Sequence, residues 1–302
     1  ESTTTKVIYD LILSLSDSGR SISVEGLTFY IIPQLNPDGA EAYTRLNANA
    51  VDLNRDAHDL SQPESKVLRK VFKDFKPDFC FNLHGQRTIF SAGKKGKTAT
   101  VSFLAPAADP ERSVTYARTE AMQVIAAMNN QLQQSIPDQI GRFDDTFNHN
   151  CVGDYFSCEG IPTILFEAGH YSNDYNRNIT RKFILEALEC AIDVIQNKTY
   201  LDYSVSEYFK IPENHQDFVD ILCKNVTIKE GTKVFYNQEM AVQFIEELEG
   251  DKIKFKPSFH SFGDRLELLA HKTIDFQDSS RPSVFLFSQG ENIDNEDFWC
   301  FH

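Results

Sequence analysis

No uninterrupted apolar run approaches 18 residues, so no segment reads as a membrane-spanning helix. Basic residues are in short supply. The 30 Lys and Arg stand against 44 Asp and Glu, giving a net charge of −14. That balance argues against a nucleic-acid or anionic-membrane partner, because phosphate binding needs a basic face. An anionic substrate would have to be drawn in by a local cation. The six cysteines (Cys80, Cys151, Cys158, Cys190, Cys223 and Cys300) fall without C-x-x-C spacing. They read as reduced, mostly buried thiols, which points to a cytoplasmic protein. Internal repeats and low-complexity tracts are also lacking. The sequence opens on Glu1 with neither an initiating Met nor a leader. The expectation is a truncated chain, with a removed signal peptide left open.

What is present is an alternation of two periodicities. At 302 residues the chain exceeds one average domain, and one large domain plus a smaller one is the prior. Helical spacing of apolar residues runs from Thr3 to Leu15, through Val7, Ile8, Leu11, Ile12 and Leu15. Gly26 to Leu35 reads as a buried strand ending in the turn signal Asn36-Pro37-Asp38-Gly39. Ser61 and Pro63 are placed to cap and start a helix. FKPDFCFNLHG and IPTILFEAG read as further strands, with helices expected over Glu111 to Gln134 and Ile179 to Gln196.

This order implies an α/β fold whose mixed, mostly parallel central sheet carries helices on both faces. Beyond Asp202 short β-prone runs are separated by Gly, Asp and Pro turns. Residues 1–204 are therefore expected to form one domain and 205–302 a small β-rich one, with one helix near Glu239 to Leu248.

Polar groups gather where the strands end. Asn36 to Asp38 follows the first, Asn82, His84 and Gln86 the second, and Glu167, His170 and Tyr171 the third. In open α/β sheets the crevice beyond the carboxyl ends of the strands is where ligands bind. Packing alone does not explain three such ends. A carboxylate at the mouth of a buried strand, such as Glu167, is partly desolvated, and its pKa is expected to rise toward the range useful for a general base. Arg45 and Arg55 bracket an Asn-rich linker, and a guanidinium fork suits a carboxylate or an oxyanion. Taken singly, each arginine could equally be an ordinary surface residue.

In order, Asn36-Pro37-Asp38-Gly39, Thr44-Arg45-x-Asn47-Ala48 and Val51-Asp52-Leu53-Asn54-Arg55 resemble the signature of the zinc metallocarboxypeptidases of the carboxypeptidase A type. Asn82-Leu83-His84-Gly85 resembles that family's late zinc-ligand motif, and Phe166-Glu167-Ala168-Gly169 its catalytic glutamate motif. The likeness covers about residues 1 to 197.

The resemblance implies one zinc ion per chain, held by His84 and by a His-x-x-Glu pair. Glu1 would be the Glu of that pair, its His lying three residues upstream and outside the sequence. It further implies that Arg45 stabilises the tetrahedral oxyanion. Asn54 and Arg55 would bind the substrate's terminal carboxylate, and Asp52 would orient the zinc-bound His. Glu167 would move the proton from water to the leaving amine.

The implied substrate is a peptide or N-acyl amino acid with a free carboxylate; the sequence is silent on oligomeric state. The family's mobile tyrosine has no counterpart, since Phe147, Asn148 and His149 stand near its place. Three other readings stay open. These are an amide deacylase resembling succinylglutamate desuccinylase and aspartoacylase, a cell-wall-peptide amidase, and a non-catalytic binding module.

Overall fold

The computed structural model describes residues 2–16, 24–277 and 284–287. Glu1, on which a ligand role was expected, lies outside them, as does Cys300. The chain divides into two compact units, Glu1–His215 and Gln216–His302.

The first unit is built on a four-stranded sheet of β1 (Cys80–Gly85), β3 (Val101–Leu104), β4 (Ile140–Arg142) and β5 (Thr163–Ala168), in the order β1-β5-β3-β4. The β1–β5 and β3–β4 pairs are parallel and the β5–β3 pair is antiparallel, so the sheet is mixed and mostly parallel. Helices α1 (Ser2–Ser16), α4 (Tyr116–Leu132) and α6 (Asn178–Gln196) share a core with one face of the sheet. Val7, Phe103, Met122, Ile164, Phe166 and Ile184 are all fully buried in it. Burying side chains of this size removes roughly 1.5–3 kcal/mol of exposure cost each, which outweighs any local propensity.

Helices α3 (Pro63–Phe75) and α5 (Val152–Cys158) form a smaller apolar cluster with Cys80, on the other face, and Phe72 and Phe156 stack there at 4.1 Å. Short α2 (Pro37–Ala42), β2 (Phe90–Ala92), α7 (Val205–Lys210) and β6 (Asn214–Gln216) complete the segment. Tyr208 of α7 is fully buried in the first unit's core, so the change of sequence texture near Asp202 precedes the boundary between the units.

Two expected elements differ. Gly26 to Leu35 forms no strand, and Phe29 and Tyr30 are 39% and 58% exposed. A β-prone run becomes a strand only in a ladder, and no strand pairs with it among the described residues. The helix expected near Glu239 to Leu248 is instead part of one long strand, Lys233–Glu249.

In the second unit, β7 (Phe218–Glu230), β8 (Lys233–Glu249) and β9 (Lys252–Gly263) form an antiparallel meander. Strands β10 (Leu269–Asp275) and β11 (Val284–Phe287) pair in parallel with β7. Met240 and Val242 point with Ile221, Cys223 and Ile228 into a buried cluster, a period of two that overrides the helix-favouring Glu and Leu of β8.

Helix starts follow their sequence signals with one refinement. Pro63 begins α3, the cap position is Gln62 without a side-chain cap bond, and Asp56 rather than Ser61 braces the approach to it. The buried Asp56 carboxylate accepts the Ser61 N–H and Oγ–H through Oδ1 and the Gln62 N–H through Oδ2. Burial pushes this carboxyl up, and the bonds from Ser61, Ser65 and Gln62 more than offset it, leaving its pKa below the ordinary range.

Candidate active site

The sheet sets the first part of the site through register. His84 on β1 lies opposite Glu167 on β5, Glu167 opposite Ser102 on β3, and Ser102 opposite Gly141 on β4. Residues in register on neighbouring strands project from the same face, so the imidazole and the carboxylate stand side by side. Asn82, two residues before His84, shares that face. The strand runs through Gly85 before it turns.

Beside this row the floor is polar. A β-carbon at Gly141 would lie 1.8 Å from Asn214 Oδ1, so the missing side chain makes room for the Asn214 amide. Asn214 Nδ2 donates to Ser102 Oγ at 2.9 Å and to Gln86 Oε1 at 3.1 Å, and Gln86 Nε2 donates to Ala99 O at 2.6 Å. The Gly that follows Glu167-Ala168 has a like cause. Any β-carbon at Gly169 would fall 2.0 Å from Ala99 O and 2.2 Å from Gln86 Nε2. His170, by contrast, is buried with its ring beside Tyr175.

The second part of the site is a folded turn. Leu53–Arg55 forms one turn of 3-10 helix, capped by Asp52, whose Oδ1 accepts the Asn54 N–H at 2.9 Å. Arg45 Nε donates to the other oxygen of Asp52 at 2.8 Å. Asn54 Oδ1 accepts the Val152 N–H at 2.9 Å, tying the turn to the start of α5. Arg55 is exposed, and its Nη1 donates to Asn54 O at 2.6 Å and Cys151 Sγ at 3.1 Å.

Two asparagines hold this turn in place: Asn150, which sequence reasoning passed over, and Asn47, which stood in the Thr44-Arg45-x-Asn47-Ala48 motif without a role. Asn150 Oδ1 accepts the His58 and Asp59 N–H groups, its Nδ2 donates to Asp59, and its carbonyl accepts the Ala57 N–H. Asn47 is buried, with Oδ1 accepting the Asn49 and Val51 N–H groups and Nδ2 donating to Gln62. Asn in a loop of special backbone shape is the available signal, because its side chain closes such turns on its own backbone.

These parts meet at one cavity of about 1200 Å³, lined among others by Arg45, Asp52, Asn54, Asn82, His84 and Val152. Arg55 lies outside the lining and is bonded to Asn54, which belongs to it. Near the place of the family's tyrosine, His149 packs against His58 at 4.2 Å and against Tyr155 at 5.8 Å. Asp154 on α5 is buried, and desolvation pushes its carboxyl up to about 6 despite the Asn148 N–H that it accepts at 3.0 Å. Among the described residues no three His, Cys, Asp or Glu side chains are grouped to hold a metal ion.

No family model matches the chain. Carboxypeptidase SOL1 of Arabidopsis thaliana is 40% identical over 72 residues, which is 20% of this chain and 15% of that protein. A carboxypeptidase A candidate of Shewanella denitrificans superposes with a TM-score of 0.50 at 17% identity, covering 65% of this chain and 55% of the other. A metallo-carboxypeptidase of Burkholderia cenocepacia gives a TM-score of 0.48 at 19% identity, over 66% of this chain and 54% of the other. The chain thus spans little more than half the length of these solved structures and a small part of the curated relative. At such identities the likeness shows the fold, and the fold is carboxypeptidase-like.

Proposed function

We propose that this chain, carboxypeptidase-like in fold, is the catalytic part of a zinc-dependent carboxypeptidase that hydrolyses the C-terminal amide bond of a peptide with a free carboxylate. One observation carries the reading: the turn bearing Asn54 and the strand mouth bearing His84 border a single cavity, with Glu167 in register beside His84.

Each residue then has a defined task. Asn54 and Arg55 would hold the terminal carboxylate, since both offer N–H donors and the guanidinium adds charge. Arg45, steadied by its pair with Asp52, would stabilise the oxyanion that forms on the scissile carbonyl. Glu167 would take a proton from the attacking water and deliver it to the leaving amine.

The described residues fit a zinc ion in part. The imidazole of His84 at a strand mouth is a ligand of the ordinary kind, and Glu1 would be the second ligand from this chain. A zinc ion bound there would supply a Lewis acid and acidify water.

Metal analysis of the full-length protein should find about one zinc per chain. The same preparation should release the last residue of peptides and leave N-acyl amino acids intact. Preferential cleavage of N-acyl amino acids would move the reading to the deacylases, and a metal-free, inactive protein would remove it.

A further inference from the structure

We infer that Cys151 is a positioning residue for Arg55, its thiol fixing the guanidinium through one nitrogen without claiming the charge. The inference rests on the carboxypeptidase reading above and deepens it. Arg55 is exposed, and an unanchored arginine of that kind samples many rotamers. Here its Nη1 donates to Cys151 Sγ at 3.1 Å and to Asn54 O at 2.6 Å. Both bonds use the same nitrogen, which leaves the Nε–Nη2 edge to a ligand. That edge is the fork that meets a carboxylate with two parallel bonds. Arg181 uses it within this chain, giving Nε and Nη2 to the two oxygens of Asp10.

Position 151 departs from what its place in the fold favours. It is the cap residue of α5, where Ser, Thr, Asp or Asn usually accepts a helix N–H. The Cys151 side chain makes no such bond. Its backbone is held on both sides, the N–H by Asn148 O at 2.8 Å and the carbonyl by the Tyr155 N–H at 2.9 Å. The thiol is thus a fixed point, and the bond it accepts comes from Arg55. Its chemistry suits that task. Burial pushes the thiol above its ordinary range in spite of the nearby Arg55, so it stays neutral near pH 7. A neutral sulfur orients a guanidinium and cancels none of its charge. Arg45 differs, since it is paired with Asp52. Among the described residues Arg55 forms no ion pair, and both of its bonds go to neutral acceptors. A carboxylate at position 151 would cap the helix and compete with the substrate for Arg55.

The test uses the full-length, metal-loaded protein and two peptides that differ only in a free or an amidated C-terminus. Cys151→Ala should raise KM about threefold to tenfold for the free-carboxylate peptide, with kcat kept within about twofold. The amidated peptide should change by less than about twofold. In an Arg55→Ala background the same substitution should add less than about 1.5-fold, because no guanidinium is left to orient. Cys151→Asp should raise KM for the free-carboxylate peptide at least about tenfold, again only where Arg55 is present. It keeps a capping side chain at the start of α5, and it decides the matter should Cys151→Ala fail to fold. An equal rise in KM in both backgrounds, an equal loss on the amidated peptide, or no change in either variant overturns the role of Cys151. Each of those outcomes leaves the carboxypeptidase reading standing. Cleavage of neither peptide by the unsubstituted protein overturns that reading, and the inference with it.

Discussion

The Asn54 carboxamide is oriented by Val152, whose N–H it accepts at 2.9 Å. A backbone N–H can be met only by the oxygen end of the amide, so the nitrogen end of Asn54 is left for a ligand. That is the polarity a carboxylate needs. One contact therefore meets the first N–H of α5 and would preset the proposed clamp.

The first prediction separates those two tasks. Asn54→Asp keeps an acceptor for Val152 and replaces the donors with a negative charge. It should leave stability within about 0.5 kcal/mol of the parent and raise KM for free-carboxylate peptides by roughly tenfold or more. Asn54→Ala also loses the cap, and chemical denaturation should show a cost of about 1 kcal/mol. Equal loss of stability in both variants would make the residue purely structural.

Arg55 is exposed and touches the protein through Asn54 O and Cys151 Sγ. Its removal should cost little stability and much recognition. In steady-state kinetics, Arg55→Ala is expected to raise KM about tenfold to a hundredfold for peptides ending in a carboxylate. The same peptides with an amidated end, weak substrates from the start, should change less than threefold, about 0.7 kcal/mol. A uniform loss would assign Arg55 to the fold.

For Glu167 the expected change is in kcat. Glu167→Gln keeps size and hydrogen bonding and abolishes the basic oxygen, so turnover should fall by about 10²–10⁴ with metal content unchanged. Metal lost in step with activity would make the residue a ligand.

How much of this was legible before folding depends on distance along the chain. Asp52, Asn54 and Arg55 lie within one capped turn, and their adjacency carried the information. Pro63 likewise marked the first residue of α3. The bracing of that helix start was less legible, since Asp56 reaches the Gln62 N–H from six residues upstream. The His84–Glu167 pairing exists only as strand register, and the Asn150 latch closes a gap of 91 to 92 residues. No local periodicity encodes either. Gly26 to Leu35 and the β8 segment misled for opposite reasons, one β-prone without a ladder and one helix-prone inside a ladder.

The last prediction concerns pH. Asp154 is buried, and its carboxyl, ordinarily near 3.8, is pushed up to about 6 by desolvation, which outweighs the help from the Asn148 N–H, Arg118 and Arg55. Between those two values the folded protein keeps a proton that the unfolded chain has lost. Stability therefore falls as pH rises from about 4 to about 6 and levels off above, where the buried charge is fully formed. Asp154→Asn retains an acceptor for Asn148 and carries no charge. The variant should match the parent near pH 4 and exceed it at pH 8 by up to about 3 kcal/mol, less whatever the altered hydrogen bonding costs. Urea denaturation of both proteins at the two pH values measures the difference. A gap of the same size at both pH values would place the effect in packing rather than in the ionisation of Asp154.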